Sequence, residues 1–255
     1  MSIRLGIEAI AGLPELRAGD ELGALLVAAA RAQGLELADG DVVVISQKAV
    51  SKAEGRVCSL VEVTPSDEAR ELAAATGRDP RLVELVLGES RRIVRATPAA
   101  LIAETRAGWI CANAGIDASN LPDDDLVALL PADADASARR IRAEIEGDAG
   151  VRPGIVIADS FGRPWRLGQA EVALGCAGVI ALDDWRGRRD ASGRPLTATA
   201  VAIADQLAGA ADLTREKDSG HPAVLIRGVE RYRTDDDGPG AAAALQRVAA
   251  DDLFR

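Results

Sequence analysis

Eight residues, Asn113-Ala-Gly-Ile-Asp-Ala-Ser-Asn120, place two amides, a carboxylate and a hydroxyl directly after the short apolar run Trp109-Ile-Cys-Ala112. Two other segments carry related cargo. Gln47-Lys48-Ala-Val-Ser-Lys52 follows Val42-Val-Val-Ile-Ser46, and Asp159-Ser160 follows Gly154-Ile-Val-Ile-Ala158. A divalent cation held together with a phosphate needs one or two carboxylates and a hydroxyl or amide oxygen, the phosphate completing its shell. Asp117, Asp159 and Ser160 supply those types. Lys52, with Lys48, suits the neutralisation of charge on a transferred phosphoryl group. Arg163 and Arg166, around Pro164-Trp165, present planar forks able to grip a phosphate or carboxylate. Each group also has a plainer reading: an Asx turn, a helix cap, two solvated lysines at i, i+4, or an exposed loop anchored by Trp165.

The composition narrows the chemistry. The chain has 255 residues, 48% of them hydrophobic, and a formal charge of −10, so an electrostatic footprint for nucleic acid is not expected. No apolar run reaches the length of a membrane span, and the charged N-terminus is unlike a signal peptide, which predicts a cytoplasmic protein with no membrane partner. Cys58, Cys111 and Cys176 form no C-x-x-C and suggest neither a disulfide framework nor a zinc ribbon. The single histidine, His221, excludes a His-rich zinc site, leaving Mg²⁺ or Mn²⁺ among oxygen ligands. Neither a Walker-type loop nor a G-x-G-x-x-G fingerprint is present.

Buried strands must mount these groups. Continuous apolar runs predict strands over 42–46, 154–158 and 223–227, with a further strand over 3–10 and a turn at Ala11-Gly-Leu-Pro14. The segment from Asp159 to Arg166 then reads as the loop leaving its strand. Helices are expected over 21–33, capped by Asp20, from the Thr64-Pro65 device to about 76, from Asp79-Pro80 onward, over 135–146, over 199–213 and from about 240. Short runs at 91–96, 101–105 and 109–111 predict an antiparallel meander. The apolar segment 173–180 carries internal glycines, and 183–194 is a charged loop. Three strand ends bearing polar groups suit convergence on one crevice.

Asp41-Val-Val-Val-Ile-Ser-Gln-Lys-Ala-Val-Ser-Lys-Ala-Glu-Gly-Arg56, Asn113-Ala-Gly-Ile-Asp-Ala-Ser-Asn120 and Asp159-Ser-Phe-Gly-Arg-Pro-Trp-Arg166, in this order, resemble the coenzyme F420-0:L-glutamate ligase family. The resemblance runs from Ala11 to the strand after Pro222. It implies an α+β fold with mixed, largely antiparallel sheets and packed helices, an intertwined homodimer, and one ligase unit over 1–255 without a flavin reductase domain. The implied reaction is GTP-dependent addition of L-glutamate to coenzyme F420-0, first through an amide and then through γ-glutamyl linkages. GTP phosphorylates the terminal carboxylate, the glutamate amine attacks the acyl phosphate, and GDP and phosphate leave. Mg²⁺ or Mn²⁺ and potassium are implied with it.

Carried onto this sequence, Ala11, Gly12, Leu13 and Pro14, with Ser46, Gln47, Lys52 and Asn120, contact the nucleotide. So does the polar loop Thr214, Arg215, Glu216, Lys217, Asp218, Ser219, Gly220 and His221. Metal ligands are Asp117, Asp159, Ser160 and Glu216, and Lys52, Asp159, Arg163 and Arg166 are the catalytic candidates. A related amide ligase with another acceptor, or a nucleotide-binding regulatory module, are the alternatives.

Overall fold

The computed structural model describes residues 4–119, 121–215, 219–238 and 240–252. The first half of the chain forms β1 (Gly6–Ile10), α1 (Leu22–Ala32), β2 (Val42–Ser46), α2 (Gln47–Ala53), β3 (Val57–Ser59), α3 (Asp67–Thr76), α4 (Pro80–Glu89), β4 (Ser90–Ala96), β5 (Leu101–Thr105) and β6 (Ile110–Ala112). The second forms β7 (Leu126–Ala128), α5 (Ala134–Ala149), β8 (Gly154–Arg163), β9 (Arg166–Ala177), β10 (Leu182–Asp184), β11 (Ala200–Ala202), α6 (Ile203–Asp212) and β12 (Ala223–Arg227).

Val42-Val-Val-Ile has no polar face because both faces of its strand are covered. The sheet order is β1-β12-β2-β8-β9, and β2/β8 is the only parallel pair among the described strands. Val43, Ile45, Ile155, Ile157 and Leu225 pack against α1, α2 and α5 on one side. Val42, Val44, Val156, Val224 and Ile226 pack against Ile203, Ala204 and Leu207 of α6 on the other. Each fully buried Val, Leu or Ile contributes roughly 1.5–3 kcal/mol, so this three-layer sandwich is the rigid mount for whatever its strand ends carry.

A separate core, including Leu60, Val83, Val86, Leu101, Ile116 and Val127, lies under α3, α4 and the antiparallel meander β4-β5-β6. The meander forms where the three short runs predict it. Asp79 caps α4 as expected, accepting from the Arg81 N–H at 2.8 Å with Pro80 in the first turn.

Several expectations need correction. Asp20 does not cap α1, because its carboxylate accepts instead from the Arg17 N–H at 2.7 Å. The cap of α3 is Ser66 rather than Thr64. Residues 159–163 extend β8 instead of leaving it as a loop, and pair with β9 across the two-residue turn Pro164-Trp165. The apolar 173–177 segment belongs to β9. The helix expected over 199–213 begins only at Ile203, after the short strand β11, and in place of the one expected from 240 stand two 3₁₀ turns, Ala242–Leu245 and Ala249–Asp251. Strand pairing decided the β8, β9 and β11 cases against local periodicity.

Candidate active site

Parallel pairing puts Ser46 opposite Ala158, so Gln47-Lys48 and Asp159-Ser160 follow side by side at the same edge of the sheet. Helix α2 starts at once on Gln47 and carries Lys48 and Lys52 one turn apart. Asp117 arrives from the other core. Asn113, Ala114 and Gly115 take φ of 50°, 53° and 75°, three left-handed residues in succession. Such a turn is costly for Asn and Ala, and it persists because its surroundings fix it. The chain then straightens, and Asp117 exchanges backbone hydrogen bonds of 3.0 and 2.8 Å with Ala128.

The result is a cleft of about 380 Å³ lined by Leu13, Pro14, Ser46, Gln47, Lys48, Lys52, Asp117, Asp159, Ser160, Arg215, Gly220 and His221, among others. Lys48 Nζ lies 2.9 Å from Asp117 Oδ2 and donates to the carbonyl and hydroxyl of Ser119 at 2.7 Å. The Ser119 N–H donates to Asp117 Oδ1 at 2.7 Å. The Asx turn and the charged site are therefore one structure, not rival readings. Lys52 Nζ pairs with Glu15 Oε1 at 2.6 Å, so neither lysine is simply a solvated charge.

Burial pushes the Asp159 carboxyl up to about 7, with repulsion from Glu171 and Asp117 adding to it and the Ser160 N–H and Lys48 opposing. Asp117 goes the other way. Burial acts to raise it, but the Ser119 N–H, the Lys48 ammonium and the Ser119 hydroxyl outweigh that and lower it. Cys111 behind Asp159 is pushed by burial to about 12 and is inert as a thiolate.

Sequence reasoning missed Glu171. It faces Ser160 in the β8/β9 register, its Oε1 accepts from the Ser160 hydroxyl at 2.5 Å, and its Oε2 is 3.2 Å from Arg215 Nη2. Glu15 and Asp212 also line the cleft unforeseen. The signal for Glu171 would have been alternation continuing past Ala158, but Gly162, Pro164 and Gly168 interrupt it as a loop would.

Other expected residues lie elsewhere. Ala11 and Gly12 precede the lining residues, with the Ala11 N–H donating to Gln33 Oε1 at 2.9 Å. Thr214 bonds back to the Ala211 carbonyl, and the Ser219 hydroxyl accepts from the His221 N–H at 3.3 Å. Arg163 and Arg166 pair at the tip of the β8/β9 hairpin, outside this cleft. Asn120, Glu216, Lys217 and Asp218 fall outside the described residues.

Among the described residues no three His, Cys, Asp or Glu side chains form a ready-made metal cage. Asp117, Asp159 and the Ser160 hydroxyl fit instead a hard cation that brings phosphate oxygens with it. Among the described residues the lining carries three basic side chains, Lys48, Lys52 and Arg215, against five acidic ones, Glu15, Asp117, Asp159, Glu171 and Asp212. A polyphosphate entering alone would be repelled, whereas one accompanied by divalent cations is accommodated.

Comparison with known proteins converges on one family. The family model described as F420-0:gamma-glutamyl ligase matches residues 11–228. A coenzyme F420:L-glutamate ligase of Methanothermobacter thermautotrophicus is 44% identical over 252 residues, 98% of both chains. Its counterpart in Methanopyrus kandleri is also 44% identical, over 98% of both chains, and that of Archaeoglobus fulgidus is 37% identical over 99% of this chain and 97% of its own.

Proposed function

The chain belongs to the F420-0:gamma-glutamyl ligase family, and on that premise we propose that it is a GTP-dependent ligase adding L-glutamate to coenzyme F420-0. The observation that carries the GTP-dependent reading is the meeting of Asp117, Asp159, Ser160, Lys48 and Lys52 around one cleft. A terminal carboxylate oxygen of the precursor attacks the γ-phosphorus of GTP, GDP leaves, and the acyl phosphate formed is attacked by the glutamate amine with loss of inorganic phosphate. The amide then carries a new carboxylate for a γ-linked round.

In this reading Asp117, Asp159 and Ser160 hold Mg²⁺ or Mn²⁺, which supplies charge neutralisation along the phosphates. Lys52 and Lys48 stand where positive charge is wanted as the phosphoryl group moves, and both are oriented beforehand by Glu15 and Asp117. Leu13 and Pro14 form an apolar lip on which a base can rest. Cation binding would pull the Asp159 carboxyl down from about 7 to its ionised form.

The proposal extends to a homodimer. Trp165 is 85% exposed and Leu167 98% exposed on the β8/β9 hairpin tip, beside Arg163 and Arg166, an apolar and basic projection suited to a second copy. The test of the activity is incubation with GTP, Mg²⁺ or Mn²⁺, L-glutamate and F420-0, with and without potassium, followed by mass spectrometry. Stepwise gain of glutamyl units with one GDP per unit is expected. Unchanged precursor from folded protein would refute it.

A further inference from the structure

A second cleft, of about 610 Å³, shares no described lining residue with the first, yet both meet the same turn: Ala114 lines one and Asp117 the other. Its size is that of a site for a small organic molecule, and Leu130, Pro131, Leu174 and Ala243 give it an apolar wall. The acids of its lining are already engaged. Glu89 pairs with Arg56 at 2.6 Å, Asp133 accepts from the Ala136 N–H at 2.9 Å, and Asp135 accepts from those of Cys176 and Ala242 at 2.8 and 3.2 Å. Two donors are not. Trp109 packs its ring against the sheet core, but among the described residues its indole N–H has no acceptor, although such a group ordinarily finds one. Arg106 is anchored through Nε, 2.7 Å from the Gly88 carbonyl, and no carboxylate of the described residues meets its outer nitrogens.

A guanidinium and an N–H beside an apolar wall suit a carboxylate carried on an apolar, planar body, whose face the guanidinium can also stack against. The wall also bears on the turn. Ala114 is the middle of its three left-handed residues, and a Cβ on Gly115 would come within 2.5 Å of Leu130, so a molecule pressed against Ala114 and Leu130 pushes on the segment that presents Asp117. We propose that this cleft is an effector site for a small carboxylate with an apolar body, held by Arg106 and the Trp109 indole, and that its occupancy is felt at Asp117 through the turn. The coupling rests on the cation-binding reading above; the binding does not.

The probe is 2-naphthoate, titrated calorimetrically into the full chain beside its cationic counterpart 2-naphthylmethylammonium. Naphthoate is expected to bind about tenfold or more the tighter of the two, and Arg106→Met and Trp109→Phe, each checked for folding by its melting curve, should each weaken it about tenfold. No naphthoate binding up to roughly 1 mM, equal binding of the two probes, or binding that both variants leave unchanged would overturn the site. Arg106 is exposed, so R106M serves if W109F does not fold. The coupling is read by electron paramagnetic resonance of Mn²⁺ bound with GDP: saturating naphthoate should change the Mn²⁺ affinity by about threefold or more, and Mn²⁺ with GDP should change the naphthoate affinity by the same factor. Naphthoate binding with no such change overturns the effector role. Wild type that holds no Mn²⁺ in the presence of GDP would sink the cation-binding reading instead, and the naphthoate titrations would still decide for or against the site.

Discussion

Asp159 sits where its ionised form is costly, and that cost can be measured. Its carboxyl titrates near 7 in the folded chain and near 3.9 unfolded, so the folded protein keeps a proton that the unfolded one gives up between those values. Stability therefore falls as pH rises through that window. Asp159→Asn cannot ionise and escapes the loss: in EDTA its melting temperature should exceed that of wild type at pH 8 and approach it near pH 4. The same variant should lose ligase turnover by roughly a hundredfold or more, since it removes a charge aimed at the phosphates. Calorimetric melts at the two pH values, beside a turnover assay, check both arms. Asp159 and Ser160 were legible in the sequence because a carboxylate and a hydroxyl directly after an apolar run are conspicuous, and Asp117 and Lys52 because each lies in a short polar segment leaving such a run. Glu171 was not, since a lone glutamate among Gln169-Ala-Glu-Val-Ala looks like any solvent-facing strand residue until the pairing is known.

Individual elements show the same division. Strands β2 and β12 were readable because a short unbroken apolar run suits a strand covered on both faces, and the meander because its three short runs are close together in sequence. The extension of β8 was hidden by Gly162 and Pro164, which are turn residues in most contexts and here occupy and follow the last residues of a hairpin arm. The left-handed turn before Asp117 lay between these cases: Asn113 and Gly115 hinted at it, but three such residues in a row have no periodic signature. It yields a prediction. Gly115 has φ of 75°, and a Cβ there would come within 2.5 Å of the Leu130 side chain. Gly115→Ala should destabilise by about 1–2 kcal/mol from backbone conformation alone, more with the overlap, and shift Asp117 enough to weaken Mn²⁺ binding in the nucleotide complex. Urea unfolding and a Mn²⁺ titration test the two effects separately.

For the molecule as a whole, burial raises Asp41, Asp135 and Asp205 as well as Asp159. Asp159, the one of them pushed up to about 7, retains above pH 5 a proton that the unfolded chain releases, so metal-free protein should be more stable near pH 5 than near pH 8, and Mg²⁺ with GDP should narrow the gap. Equal melting temperatures at the two pH values without ligand would contradict this. Among the described residues no helix is long and apolar enough to cross a membrane, and the apolar side chains left exposed include the pair on the hairpin tip. Replacing Trp165 and Leu167 by serine should lower the mass seen by light scattering from two copies toward one, with little change in the melting of the separate subunit.

Asp117 is anchored in the core under the meander and Asp159 in the five-stranded sheet, with Lys48 as the tie between them. On the proposed role of Asp117 and Asp159 as metal ligands, a cation would be held between side chains mounted on two different cores, so Ca²⁺, larger than Mg²⁺ or Mn²⁺, should support turnover less well.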